Sequence, residues 1–174
     1  MVTTEISELN AAQALLHTGA FDDAMSRFSE CLSLNPACAA AYQGRAIAHF
    51  QCKEWALAMA DFTEAKRLDA DDPENWVGLA MSLAMDNRIY AAVALFEDLL
   101  ARRPDYARGH LQLGLLYYQL QATHKGRECL ERALTCRPSL AERRLIARVL
   151  GEQQQLDHKR YYRPDFEALH RSRR

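Results

Sequence analysis

Few side chains in this sequence have the types and spacing that metal binding or catalysis requires. His49 and Cys52 lie three residues apart, which on a helix places a nitrogen and a sulfur ligand on one face. Two ligands do not complete a zinc site, because the protein supplies three ligands to catalytic zinc and four to structural zinc. No phosphate-binding glycine loop, nucleophile elbow or HExxH motif is present. The sequence therefore predicts a non-enzymatic protein without a metal or cofactor site.

Cysteine usage favours a reducing compartment. The sequence has five cysteines and no CxxC pair, and an odd number fits free thiols better than a disulfide framework. The acidic, polar stretch 1–10 lacks the basic and apolar regions of a secretory signal, and no long apolar run indicates a membrane span. We therefore expect a cytoplasmic location and no membrane association.

Charge is unevenly distributed along the chain, although the formal net charge is only -1. Residues 1–136 carry 12 Lys and Arg against 18 Asp and Glu, whereas residues 137–174 carry 10 against 5. The tail, residues 157–174, mixes basic with aromatic side chains. Its candidate contact residues are Arg160, Tyr161, Tyr162, Arg163 and Phe166.

The tail has two interpretations. Interleaved cations and aromatic rings are typical of segments that attract nucleic acid or an acidic protein. The alternative is a solvated terminus, or a segment that binds the acidic body of its own chain. Nucleic acid is the less favoured partner, because real nucleic-acid sites are usually more basic.

A period of 34 residues organises the rest of the chain. Large apolar residues recur at this spacing, and each has Ala or Gly one helical turn earlier. The pairs are Ala24 with Phe28, Ala58 with Phe62, Ala92 with Phe96, and Gly126 with Leu130. A small residue beside a large one on the same helix face is a packing pattern. Its repetition predicts a stack of similar units, each burying its apolar face against the next.

Local signals predict two helices in each unit. Gly19 marks the turn of the first unit. Asp72, Pro73 and Glu74 supply an N-cap, a first-turn proline and an acidic first turn. Ser139 and Glu142 form a capping box that starts a further helix near Leu140.

That last helix is expected to run to about Gln155. It keeps an apolar face but places Arg148 where the repeats have a small residue. Such a helix is unable to receive another unit, so we interpret it as the cap of the stack.

The pattern resembles the tetratricopeptide repeat. The fourth unit shows Leu113, Gly114 and Tyr117 at matching positions, and the third shows Trp76, Leu79, Ala92, Phe96 and Pro104. The resemblance covers about residues 5–138, with departures at Glu8, Arg45 and Leu99. It also places His49 and His110 at positions usually held by core aromatic residues, which favours packing over metal binding or catalysis.

The resemblance implies an all-α fold, a right-handed α-solenoid of four tetratricopeptide repeats plus a C-terminal capping helix. The repeats would span 5–38, 39–72, 73–106 and 107–140, and the cap about 140–156. Residues 1–156 would form one domain, followed by the tail.

In this family the first helices of the repeats line a concave face. The resemblance implies a protein-binding groove on that face, formed by Leu9, Gln13, Gln43, Ile47, Phe50, Gln51, Val77, Met81, Met85, Leu111, Gln112, Leu115, Tyr118 and Gln119. We expect this groove to be apolar and rich in amides, which suits a peptide or helix of a partner protein. The charges with which related repeats hold a chaperone tail's carboxylate are missing.

Several alternatives remain open at this point. The same apolar residues could be core, or the groove could be filled by the tail or by a second copy in a homodimer. The favoured function is an interaction module or adaptor. The alternatives are a small chaperone resembling those of bacterial type III secretion, and nucleic-acid binding through the tail.

Overall fold

The structure, a computed structural model, describes the backbone of residues 2–161 and the side chains of residues 6–152 and 154. In this part of the chain the secondary structure consists of nine α-helices. They are α1 (Val2–Thr18), α2 (Phe21–Leu34), α3 (Ala39–Gln51), α4 (Trp55–Leu68), α5 (Pro73–Met85), α6 (Ile89–Arg102), α7 (Ala107–Gln119), α8 (Thr123–Thr135) and α9 (Leu140–Tyr161).

Each helix packs on the next in chain order, and α1, α3 and α5 also contact one another in sequence, as do α7 and α9. The first helices of the first three repeats therefore lie side by side. This arrangement confirms the predicted all-α solenoid of repeated helix pairs closed by a last helix.

The turns within the repeats share one backbone conformation. Gly19, Lys53, Asn87 and Gln121 have φ values of 81°, 63°, 62° and 61°. They lie 34 residues apart, directly after the first helix of each repeat or one residue later. Gly19 adopts this left-handed conformation at little cost, whereas Lys53 and Gln121 do not.

Each of the first two joints between repeats is made by a ring and a glycine. A Cβ atom on Gly44 would lie 2.2 Å from Cζ of Phe28, and one on Gly78 would lie 2.3 Å from Cζ of Phe62. Each ring belongs to the second helix of one repeat, and each glycine belongs to the first helix of the next. Phe28 and Phe62 thus join neighbouring repeats in addition to filling the interior.

The aromatic position of the first helices anchors the preceding turn. Nε1 of Trp76 donates to the carbonyl oxygen of Ala70 at 3.0 Å, and Nε2 of His110 lies 2.8 Å from the carbonyl oxygen of Pro104. Both contacts span six residues. His110 therefore takes the same place as Trp76 in its repeat and is buried there.

The last helix covers the end of the stack. Ile146 is fully buried in a cluster with Leu111, Leu130 and Ala133, which supports its interpretation as a cap. However, α9 continues to Tyr161 rather than ending near Gln155. Residues 151–161 hold no proline and consist largely of good helix formers, which accounts for the longer helix.

Candidate functional site

A cavity of about 470 Å³ lies on the first-helix side of the stack. We call it the central cavity. Its lining residues come from α3, α4, α5, α7 and the turn before α5, and they are Gln43, Ile47, Phe50, Gln51, Phe62, Asp72, Glu74, Val77, Gly78, Met81, Arg108 and Gln112. Three successive repeats therefore build one site.

One side of the central cavity is apolar. Ile47 and Phe50 of α3 and Val77 and Met81 of α5 line it, and all four pack against or belong to the central hydrophobic cluster. The ring of Phe50 meets Trp55 edge to face, with centroids 5.0 Å apart. This contact fixes the ring in a position where it lines the cavity.

A hydrogen-bond network forms the polar side. Nε2 of Gln43 donates to Oδ2 of Asp72 at 2.7 Å and to Oδ1 of Asn75 at 2.9 Å. Asn75 is only 2% exposed, and its amide nitrogen donates to the carbonyl oxygen of Asp69. Asp72 also caps α5 by accepting the backbone N–H of Glu74 at 2.9 Å.

Glu74 links the third repeat to the fourth. One oxygen of its carboxylate accepts a hydrogen bond from the phenol O–H of Tyr106. The other oxygen accepts a hydrogen bond from Nη1 of Arg108 at 2.6 Å. Burial and the hydrogen bond to Glu74 raise the pKa of Tyr106, so that the phenol remains a donor. The Arg108 guanidinium is therefore engaged by a carboxylate within the cavity wall.

Seven of the predicted groove residues line the central cavity, namely Gln43, Ile47, Phe50, Gln51, Val77, Met81 and Gln112. The sequence also predicted an apolar, amide-rich surface, and the apolar side and three amides fit that description. The charged lining residues Asp72, Glu74 and Arg108 do not fit that description.

The other seven lie elsewhere. Leu9 packs into the N-terminal cluster, Gln13 and Gln119 are exposed, and Met85 is 52% exposed beyond the cavity. Leu111 is 2% exposed, and Leu115 and Tyr118 pack against the same cluster around Ile146. The prediction that Leu111 lines an open groove is wrong, because the cap covers it.

Three charged residues of the site were not predicted. Asp72 was interpreted only as a helix cap, although its second oxygen faces Gln43. Glu74 and Arg108 occupy the same place in consecutive repeats, 34 residues apart, on the face that the resemblance assigns to binding. Their shared position on that face was the feature of the sequence that could have identified them as site residues.

The predicted tail contact residues lie at the end of α9 or beyond the described residues. Arg160 and Tyr161 belong to the backbone of α9, which therefore extends into the tail. Tyr162, Arg163 and Phe166 lie outside the described residues.

His49 lies close to two carboxylates at the contact between α3 and α4. Its Nδ1 lies 2.6 Å from Oε2 of Glu54, and its Nε2 lies 3.8 Å from Oδ2 of Asp61. Arg45 binds both oxygens of Asp61 at 2.7 and 2.8 Å. Within the described part of the chain, no group of three His, Cys, Asp or Glu side chains has the geometry to hold a metal.

A second cavity of about 400 Å³ lies among α6, α7 and α8, with Leu100, His110, Tyr117 and Cys129 in its wall. Tyr117 donates to Oε1 of Glu97 at 2.6 Å, and burial together with this bond raises the pKa of Tyr117 to about 12. Burial also raises the pKa of Cys129 to about 11, which opposes formation of a reactive thiolate.

Among residues 2–161, no helix combines the length and apolar character needed to cross a bilayer.

Comparison with solved structures identifies repeat proteins of the same architecture. TTC0263 from Thermus thermophilus superposes with a TM-score of 0.75 at 21% identity, over 88% of this chain and 84% of that chain. MamA from Desulfovibrio magneticus RS-1 gives a TM-score of 0.69 at 17% identity, over 91% and 97%. These identities show the shared fold alone.

A third similar structure is the first repeat domain of Spaghetti (RPAP3), determined bound to the HSP90 peptide SRMEEVD. It gives a TM-score of 0.63 at 17% identity, over 67% of this chain and 93% of that chain. Among curated proteins, no sequence matches.

The family described as tetratricopeptide repeat matches the sequence over residues 9–73 and 77–141, which is most of the chain. The matched residues include α2 to α4, most of α5, and α6 to α8, together with every lining residue of the central cavity except Glu74. On this match and the repeated helix pairs, the chain belongs to the tetratricopeptide repeat family.

Proposed function

We propose that this protein is a non-enzymatic interaction module that binds a segment of a partner protein in the central cavity. The observation that carries the proposal is an open cavity of about 470 Å³ built jointly by three repeats. This volume falls within the range of roughly 300–1,000 Å³ typical of ligand sites. A partner side chain would bury apolar surface there against Ile47, Phe50 and Met81.

The types of the lining residues suit binding. Met81 is flexible and adapts its shape to an apolar side chain. Gln51 and Gln112 offer both donors and acceptors, which can bind the backbone of an extended or helical segment. The described lining residues include no His, Cys, Ser or Lys, and the two carboxylates of the lining, Asp72 and Glu74, already accept hydrogen bonds within the protein.

Two substitutions of one residue type test the proposal. Met81→Glu places a charge on the apolar side of the cavity, whereas Met85→Glu places the same charge one turn along α5, where the side chain is already half exposed. Each variant is used to capture proteins from native lysate beside the parent protein, after circular dichroism has shown that both remain folded.

A partner retained by Met85→Glu and lost by Met81→Glu supports binding in the cavity. Partners retained by both folded variants, or lost equally from both, contradict it. A narrower form of the proposal is a cytoplasmic chaperone of an exported protein. Co-expression that keeps such a protein soluble, and fails with Met81→Glu, tests that form.

A further inference from the structure

The polar side of the central cavity presents hydrogen-bond acceptors. An amide nitrogen has two N–H groups, and Gln43 uses its nitrogen to bind Asp72 at 2.7 Å and Asn75 at 2.9 Å. Reversing this amide would place its oxygen against the Asp72 carboxylate, so the orientation is fixed by the network. Gln43 therefore has a carbonyl oxygen, and no further N–H, to offer a ligand.

Asp72 adds a negative charge to this side. Its two oxygens accept from neutral groups, the Glu74 backbone N–H and the Gln43 amide. Neutral donors orient a carboxylate without cancelling its charge. An ionised carboxylate is only an acceptor, so a ligand that approaches Asp72 must supply donors.

Arg108 does not make the polar side of the cavity positive. Nη1 of Arg108 lies 2.6 Å from Oε2 of Glu74, so these two charges form a pair. With Asp72 and Glu74 negative and Arg108 positive, the lining carries a formal charge of -1. A partner carboxylate at this side would face Asp72 and would compete with Glu74 for Arg108.

From this arrangement we propose that the bound partner segment carries a lysine or arginine whose cationic head binds Asp72 and the Gln43 carbonyl. The proposal rests on the proposed function and specifies its partner. The aliphatic stem of the lysine or arginine lies along Ile47 and Val77, since long cationic side chains bury their methylenes on apolar surface. A large apolar residue beside it fills the space between Phe50 and Met81.

The probe is a displayed library of random peptides of about a dozen residues, selected on the full chain. Enriched peptides are expected to pair Lys or Arg with a large apolar residue. One such peptide is synthesised and titrated by fluorescence anisotropy against the parent protein and four variants. The variants are Asp72→Asn, Arg108→Gln, the cavity variant Met81→Glu and the control Asp98→Asn, which removes an exposed charge from α6.

Asparagine still caps a helix, so Asp72→Asn removes the charge while preserving the start of α5. It is expected to weaken binding roughly tenfold, the usual effect of losing a hydrogen bond to a charged group. Asp98→Asn is expected to leave affinity unchanged. Arg108→Gln releases Glu74 and is expected to tighten binding, so it tests the proposal even if Asp72→Asn unfolds.

The outcomes separate this inference from the proposed function. One outcome is that the enriched peptides are uncharged or acidic, that Met81→Glu abolishes their binding, and that Asp72→Asn and Arg108→Gln leave it unchanged. This outcome contradicts the cationic partner and supports binding in the cavity. Peptides that bind all variants equally, or no enrichment at all, overturn both.

Discussion

The ring of Phe62 closes directly on Gly78, where a Cβ atom would lie 2.3 Å from the ring carbons Cε1 and Cζ. Both residues also line the central cavity. The joint between the second and third repeats is therefore part of the candidate binding site, and its packing sets the shape of that site.

Gly78→Ala is expected to destabilise the protein by about 1–3 kcal/mol, because the added methyl group overpacks the joint and displaces the Phe62 ring. Urea unfolding followed by circular dichroism measures the change. Gly151→Ala is the matched control, since a Cβ there meets nothing within 4 Å. In the middle of α9 it is expected to stabilise by roughly 0.5–1 kcal/mol. Equal effects of the two substitutions would contradict the packing role of Gly78.

Lys53→Gly and Gln121→Gly are each expected to stabilise the fold by roughly 0.5–1 kcal/mol, because they relieve a left-handed conformation that costs other residues more than glycine. Asn87→Gly is the control. Asparagine tolerates positive φ better than lysine or glutamine, so its gain should be smaller. Unfolding midpoints in urea provide the measurement, and no gain at Lys53 or Gln121 would refute this interpretation of the turns.

Arg45→Ala is expected to cost about 3 kcal/mol, because it leaves the buried Asp61 carboxylate without its bidentate partner. The tetratricopeptide pattern has leucine at the place that Arg45 occupies in this chain. The double substitution of Arg45→Leu with Asp61→Leu is therefore expected to recover most of the stability, since a buried ion pair contributes little beyond an apolar pair of similar volume. A double variant less stable than Arg45→Ala would contradict this expectation. A thermal and urea unfolding series on all three proteins decides it.

Ile146→Ala is expected to destabilise by about 2–4 kcal/mol and to uncover Leu111, because Ile146 is fully buried between α9 and the fourth repeat. Arg148→Ala, on the exposed face of the same helix, serves as the control and should change stability little. Ile146→Ala is also expected to bind more of an apolar dye than the parent protein does, whereas Arg148→Ala is not. Equal stability of the two variants would show that α9 is not a required cap.

The helix pairs were predictable from sequence because the repeat places the same packing signal at Phe28, Phe62 and Phe96. The end of α9 was not predictable in this way, because residues 151–161 continue the helix without an apolar face. Its length follows from helix propensity and the absence of proline, which periodicity does not report.

Half of the predicted groove residues, those in the middle of the stack, line the central cavity, and their role in binding stays a prediction. Position within a repeat identifies which residues face the first-helix side, but it does not report what covers them. Leu111 is hidden by Ile146, a contact between segments that the period does not relate. The charge of the site depends on Gln43 binding Asp72, 29 residues away, which required the folded structure.

The joint between α6 and α7 differs from the two before it. Gln112 stands where the earlier joints have Gly44 and Gly78, and Leu99 stands where the other repeats have Cys31, Ala65 and Ala133. The second cavity lies beside this joint, and although α7 also contributes to the central cluster, α7, α8 and α9 share a further cluster around Ile146. Amide protons of α7 to α9 should therefore exchange with solvent as one group, at lower denaturant than those of α3 to α5, so that the chain opens from its C-terminal end.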